Sequence, residues 1–323
     1  MIRPSLWMFA ALLSGCGAAA LAQQNYPARP VRMIVLVQPG GAADLVARLV
    51  AQQLAQNLGQ PFVVDNRPSQ GAVLGADTVA KAQPDGHTAL LASIASHGIG
   101  PHLFRKLPFD PVKDFASVGI YASMPLILVV PSSLPVKSVN DLVALAKSKP
   151  GGVNFASGGI GGAPHLVGEL FKMVTGAPIQ HVPYKGSAPA AADVAAGQIQ
   201  LQFDAIAPQL PHIKSGRTRV LAVVSPKRLP VAPEAPTMAE AGLPKVAGSV
   251  WYGLVLPAGT PRAIVAKLNA ESNRALALTE VKEKMAAVGI DAATGTPEEF
   301  AKYIRDEIAH WGPVVKAAGI SPE

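Results

Sequence analysis

Met33-Ile34-Val35-Leu36-Val37-Gln38-Pro39-Gly40-Gly41-Ala42-Ala43-Asp44-Leu45-Val46-Ala47-Arg48 reads as a buried strand, a glycine turn and the first turn of a helix. Met33 to Val37 is an unbroken apolar run, which suits a parallel strand covered on both faces. Beyond the turn, Leu45 and Leu49 with Val46, Val50 and Leu54 recur at helical spacing and give the helix an apolar face. A helix N-terminus leaves several N–H groups unpaired and carries about half a positive charge. Gly40, Gly41 and Ala42 therefore form a candidate cradle for a carboxylate or phosphate that needs no Arg or Lys. Taken alone, the same residues describe an ordinary strand-to-helix turn equally well. Asp44 stands in the first helical turn, where the helix dipole favours an acid.

The pattern occurs twice. Asn154 to Ser157 reads as a strand, Gly158-Gly159-Ile160-Gly161-Gly162 as a glycine loop, and Ala163 to Val174 as a helix with Pro164 near its start, where the missing N–H does no harm. Neither loop is a dinucleotide fingerprint, because the glycine spacing fails and no acid follows at the usual distance. Neither is a nucleotide-hydrolase phosphate loop, which needs Lys-Ser or Lys-Thr after the last glycine.

Around these units the chain alternates strands and helices. Strands are expected at Pro61 to Asp65, Thr88 to Ser93, Met124 to Val130, Gln180 to Val182, Leu201 to Asp204, Arg219 to Val224 and Ser249 to Leu256. Residues 101–117 read as irregular. Helices are expected from about Gly71 to Lys81, at Val139 to Lys149 and Pro189 to Ala196, on to about Lys214, and at Pro261 to Ala277, Thr279 to Val288 and Pro297 to Ala318. This order is an α/β half, an inserted α/β half and a return to the first. It predicts two lobes, 23–123 with 248–323 and 124–247, joined by two crossing strands, with both glycine loops facing the cleft. Trp251 and Tyr252 are expected to pack at the hinge.

The 323 residues are 49% hydrophobic and 15% charged, enough for a sizeable core and against disorder. A net charge of +7 raises nucleic-acid binding, but the cations are scattered without basic runs or interleaved aromatics, which excludes that class. Arg3, the apolar run Leu6 to Leu13 and the small residues ending in Ala20-Leu21-Ala22 read as a secretory signal, residues 1–22, and so predict a periplasmic protein. Leu13-Ser14-Gly15-Cys16 also resembles a lipoprotein box, so release after Ala22 and lipid anchoring at Cys16 both stand open. Cys16 is the only cysteine, which removes thiol catalysis and internal disulfides. The seven histidines show no paired ligand spacing, so neither metal nor cofactor is expected.

Several collinear segments resemble the Bug family of periplasmic solute-binding proteins associated with tripartite tricarboxylate transporters. They are Tyr26-Pro27-Ala28-Arg29-Pro30, Pro39-Gly40-Gly41-Ala42-Ala43-Asp44, Val64-Asp65-Asn66-Arg67-Pro68, Pro84-Asp85-Gly86-His87-Thr88, Asp110-Pro111-Val112-Lys113-Asp114-Phe115, His165 to Phe171 and Val182-Pro183-Tyr184-Lys185-Gly186. The resemblance spans Tyr26 to Pro322. It implies a type II-like, two-lobed periplasmic-binding-protein fold, a Venus flytrap that holds a small carboxylate and performs no chemistry, with membrane transporter subunits as partners and a monomeric state. It also implies that backbone amides of Gly40-Gly41-Ala42 and of the Ser157 to Gly162 loop hold the carboxylate, with Asp44 and Asp204 near the cleft. Three departures stand out: Gly162 where the family commonly has Ser or Thr, Gln38 for a frequent Pro, and a less glycine-rich Ser69-Gln70-Gly71-Ala72.

The candidate ligand-binding residues are thus Gly40, Gly41, Ala42, Asp44, Ser96, Ser157, Gly161, Gly162, His165, Tyr184 and Asp204. Ser96 and Ser157 enter because they leave strands at the edge where open α/β sheets bind ligands. Two other classes remain. A ligand-sensing partner of a signalling protein would bind the same molecules. A secreted serine hydrolase would use Ser157, His165 and Asp204, although Ala156-Ser157-Gly158 lacks the preceding glycine of a nucleophile elbow.

Overall fold

The computed structural model describes residues 26–68 and 73–320. The expected export segment, Cys16 and the stretch Ser69 to Ala72 lie outside the described residues. Among the described residues no helix is long and apolar enough to cross a membrane.

The opening stretch folds as expected. Strand β1 (Val31–Val35) is buried almost throughout, and helix α1 (Ala42–Leu58) follows the glycine turn. Val46, Val50 and Leu54 are fully buried, and α1 stops where Gly59 takes a left-handed conformation, φ 73°, and donates to the Ala55 carbonyl at 3.0 Å. Then come β2 (Phe62–Asn66), α2 (Val73–Ala80) and β3 (Thr88–Ser93), with β2 and β3 parallel to β1 on its two sides.

After β3 the chain makes a π-helical turn at Ala95–Ile99 and the short α3 (Gly100–Leu103), and then enters β4 (Phe115–Pro131). Irregular chain was expected up to residue 117 and a strand only from Met124. The nine residues Phe115 to Ser123 carry neither an apolar run nor clean alternation, and tertiary pairing makes them a strand: they lie antiparallel to β9 (Ser249–Pro257), with two shifts of register. From Leu126 onward β4 changes partners, pairing instead with β7 (Leu201–Ala205) and β8 (Thr218–Val224). Pro125 sits at this changeover, opposite Ser249, where a missing ladder donor is tolerated.

The second half repeats the plan with α4 (Val139–Ser148), β5 (Val153–Ser157), α5 (Ala163–Thr175), β6 (Ile179–Pro183), α6 (Ser187–Ala195), β7, α7 (Ile206–Lys214) and β8. Strand β5 lies parallel between β6 and β7. The chain returns through β9, which begins at the changeover and runs back between β3 and β4. It ends with α8 (Arg262–Ala277), α9 (Thr279–Ala286), the two-residue β10 (Asp291–Ala292) beside β4, and α10 (Pro297–Ala317). The main run of strands is β2-β1-β3-β9-β4-β7-β5-β6, so β4 alone belongs to both halves of the sheet.

Helix α10 packs on β4, on the π-helical turn and on α5 of the second half. Its Glu307 carboxylate accepts from the indole N–H of Trp251 at 2.8 Å and of Trp311 at 3.1 Å, and both indoles are fully buried. Trp251, paired with Ser123 of β4 close to the changeover, meets Phe300 and Tyr303 edge-on.

Candidate functional site

A cleft of about 410 Å³ opens at the changeover of β4. Gly40, Gly41, Ala42 and Leu45 line it from the β1–α1 turn, Met124 and Leu126 from β4, and Val250 and Tyr252 from β9. The second half contributes Pro164, Ser187, Asp204, Ala205, Ala207 and Pro208, and Val288 completes the wall. No Lys, Arg or His is among these residues.

The first glycine turn leaves backbone donors at the cleft wall. Gly40 adopts φ 89°, which an L side chain rarely tolerates, and turns the chain into the helix. Gly41 is the N-cap residue in extended geometry, φ −84° and ψ 175°, with no side chain to cap α1. The helix begins with Leu45 N–H donating to Gly41 O at 3.0 Å. The N–H groups of Gly41, Ala42 and Ala43 have no acceptor among the described residues, and two of the three line the cleft. A Cβ on Gly41 would meet only Gln38 O, at 3.9 Å, so the missing side chain leaves open space.

Asp44 sits behind this cradle and does not line the cleft. Its carboxylate accepts from Gly40 N–H and Arg48 Nε–H, each at 2.9 Å, and from Asn66 Nδ2–H at 2.9 Å. Asn66 in turn donates to Val37 O at 3.1 Å. The Arg48 bond and the other donors outweigh burial and hold the Asp44 carboxyl down at about 2. Asp44 thus positions both ends of the turn.

The second glycine loop is a hydrogen-bonded knot beside the cleft. The Ser157 hydroxyl lies 2.8 Å from Gly159 O and 2.6 Å from His181 Nε2, and it is completely buried. It has one proton, and a carbonyl can only accept, so the proton goes to Gly159 O and His181 Nε2–H donates to Ser157. His165 Nδ1 accepts from Gly161 N–H at 3.1 Å, and its ring stacks on His181 with centroids 3.7 Å apart. Burial pushes both imidazoles down to about 4, so they are neutral near pH 7. Gly162 is the uncapped N-cap of α5, and a Cβ there would meet only Pro164 Cδ, at 3.7 Å. From this part of the chain only Pro164 lines the cleft.

Tyr184 also lies outside the lining. Its hydroxyl donates to Asp193 at 2.6 Å, and burial with that neighbour pushes it up to about 12. Ser96 is in the core. Its Oγ bonds to the backbone of Ser93 and lies 2.9 Å from His97 Nδ1, and the His97 ring packs against Phe109 and Phe115. The π-helical turn folds inward at the strand exit, which periodicity gives no means of foreseeing.

Asp204 does line the cleft. Its Oδ1 accepts from Ser187 Oγ at 2.9 Å and from Ala205 N–H at 2.8 Å. Its Oδ2 accepts from Gln202 Nε2 at 2.9 Å and Gln209 Nε2 at 3.3 Å. Burial nonetheless raises its pKa, because no cation is paired with it. Ser187, Gln202, Gln209 and Tyr252 were not among the sequence candidates. Gln202 was within reach of sequence reasoning, since residues two apart on a strand share a face with Asp204, and Ser187 follows the Gly186 turn. The phenol of Tyr252 has no hydrogen-bond partner among the described residues, and burial pushes it up to about 12.

The three candidates of the hydrolase reading are not joined. The ring partner of Ser157 is His181 and points its proton at the hydroxyl, His165 is bonded to the Gly161 amide, and Asp204 belongs to the Ser187 and glutamine network.

A family described as "Tripartite tricarboxylate transporter family receptor" matches residues 46–320. The chain is 40% identical to Protein BugT of Bordetella pertussis over 303 residues, 94% of this chain and 93% of that one. An R. palustris protein solved with adipate is 37% identical, covers 92% of this chain and all of its own, and superposes with a TM-score of 0.77. MatC from Rhodopseudomonas palustris, solved with bound malate, is 33% identical with a TM-score of 0.73, covering 90% of this chain and all of its own. The two-lobed α/β binding-protein fold is common to them, and this chain belongs to the family of tripartite tricarboxylate transporter receptors.

Proposed function

We propose that the protein is an extracytoplasmic solute receptor that closes on a small carboxylate and presents it to membrane subunits of a tripartite tricarboxylate-type transporter. The observation that carries this reading is the uncapped start of α1, with the N–H groups of Gly41 and Ala42 at a cleft wall. Backbone donors at a helix terminus bind an anion without a basic side chain. The relatives solved with adipate and malate support the same ligand chemistry.

In this reading the lobes are 23–123 with 248–323 and 124–247, hinged at Pro125 and Ser249. The ligand carboxylate rests on Gly41 and Ala42, and closure brings the loop from Ser157 to Gly162 onto the same group from the other lobe. Asp44 and Tyr184 shape the two loops from behind, and Asp204 faces the remainder of the ligand. The protein acts as an exported monomer.

Isothermal titration and thermal shift with carboxylates and their neutral amides test the reading, since a ligand that binds only the native state raises apparent stability. Carboxylates are expected to bind and raise Tm, and the matching amides to do neither. Binding of the amides with equal affinity would remove the anion cradle from the mechanism.

A further inference from the structure

The crossing strands have two faces, and the cleft occupies one of them. Met124 and Val250 line it, and their strand neighbours Ser123 and Ser249 point the other way. Ser123 and Ser249 line a second cavity, of about 550 Å³, behind the changeover. Its walls come from the two halves of the chain. The end of β8 and the β8–β9 connection give an apolar wall that includes Val224, Pro226, Met238, Pro244 and Val246, and α10 gives Tyr303, Asp306, Glu307 and His310.

This cavity is acidic although the chain carries a net charge of +7: two carboxyl side chains line it, and no Lys or Arg is among its lining residues. Asp306 is held by Lys302. Glu307 has no such partner. The indole N–H groups of Trp251 and Trp311 both go to its Oε2, and its Oε1 accepts no hydrogen bond among the described residues. His310 does not supply a donor, because its Nε2 is turned to the Ala247 carbonyl at 3.2 Å. Burial raises the pKa of Glu307, as it does for a carboxyl short of counter-charge.

We propose that this cavity binds a small organic ammonium ion with an apolar body, and that its occupancy favours closure of the carboxylate cleft. The ammonium group donates to Glu307 Oε1, a charge-assisted bond, and the body lies on Val224, Met238 and Val246. The site stands on the cavity and the free carboxylate oxygen, whereas its coupling to the cleft rests on the receptor reading above. The two cavities lie on opposite faces of the same crossing strands, so a rotation there that narrows one widens the other. A molecule wedged between α10 and the β8–β9 connection resists narrowing at the back and so holds the front closed. The coupling is reciprocal: whatever the ammonium ion does to carboxylate affinity, the carboxylate does to ammonium affinity.

Hexylammonium and 1-hexanol share a body and differ in the charge of the head group. Titrated calorimetrically into the protein at neutral pH without carboxylate, hexylammonium is expected to bind at one site, and hexanol about tenfold more weakly. Glu307→Gln keeps an oxygen for both indoles and removes the charge, and it is expected to weaken hexylammonium binding about tenfold. Ala239→Trp, on the exposed rim of the cavity, is expected to block it without touching the core. Saturating hexylammonium is expected to lower the Kd of adipate about fivefold, and adipate to lower that of hexylammonium by the same factor. Hexylammonium that does not bind, or that binds equally well to both variants, overturns the site. Binding at the site with no change in adipate affinity overturns the coupling. Failure of adipate and malate to bind, with hexylammonium bound, overturns the receptor reading and leaves the site standing.

Discussion

Gly41→Asn separates an anion cradle from a plain turn, because the two roles give opposite signs. Gly41 holds φ −84° and ψ 175°, the extended geometry of a capping residue, and a Cβ there has no neighbour nearer than Gln38 O at 3.9 Å. An Asn amide oxygen at this position reaches the N–H of the second or third helical residue, Ala43 or Asp44. The apo protein is then stabilised by a few tenths of a kcal/mol relative to Gly, which for a chain of this size raises Tm by about 1 °C. The same side chain occupies the place of the ligand carboxylate. Loss of one charge-assisted hydrogen bond costs about 1.5–3 kcal/mol, or roughly 10- to 150-fold in Kd. Differential scanning calorimetry without ligand and isothermal titration with a carboxylate read the two effects separately. A Tm that holds or rises together with a Kd within twofold of the unsubstituted protein would refute the cradle and reduce Met33 to Arg48 to a fold element.

Three further expectations follow from the same geometry. Asp44→Asn removes a carboxylate held at about 2 instead of the ordinary 3.8, a loss of up to about 2 kcal/mol at neutral pH; the depressed pKa means that the stabilisation is present above 3.8 and lost as pH falls through about 2, which urea unfolding across that range would show. His165 and His181 sit at about 4 in the folded protein against an ordinary 6.5, so the unfolded chain binds more protons between these values; stability is expected to rise with pH over that window by up to about 1.4 kcal/mol per pH unit for each ring, and His181→Gln to flatten the rise. Gly253→Ala places a Cβ 2.2 Å from Phe300 Cζ and 2.8 Å from Gly119 O, and the strain should lower the urea unfolding free energy by about 1–3 kcal/mol. An unaltered midpoint would mean that the β9–α10 packing gives way easily.

Much of the architecture is legible in the residues themselves because it is local. The apolar run Met33 to Val37, the helical repeat from Leu45 to Leu54 and the second copy at Asn154 to Val174 each carry their periodicity within one short segment, and the observed β1, α1, β5 and α5 fall within about two residues of these patterns. Gly40, Gly41, Ala42 and Asp204 were legible for the same reason, standing at strand exits whose direction is set by the strand. The long β4 was not. Phe115 to Ser123 becomes a strand only because β9, more than a hundred residues later, supplies the ladder.

The side-chain partners belong to the tertiary structure as well. Ser96 and Ser157 leave strands in the same way as Gly40, yet the inward π-helical turn buries the first, and His181 from a neighbouring strand engages the second. By itself the sequence determined the order of strands and helices, the two glycine loops and the absence of any need for basic side chains, since these follow from periodicity and from the unpaired amides of a helix start. The tertiary structure alone decided which loop opens into the cleft and which is tied into a knot of histidines. It also decided that Asp204 faces the cleft with its carboxylate already engaged by Ser187, Ala205, Gln202 and Gln209, because a polar group is available to a ligand only if no neighbour brought up by folding has already engaged it.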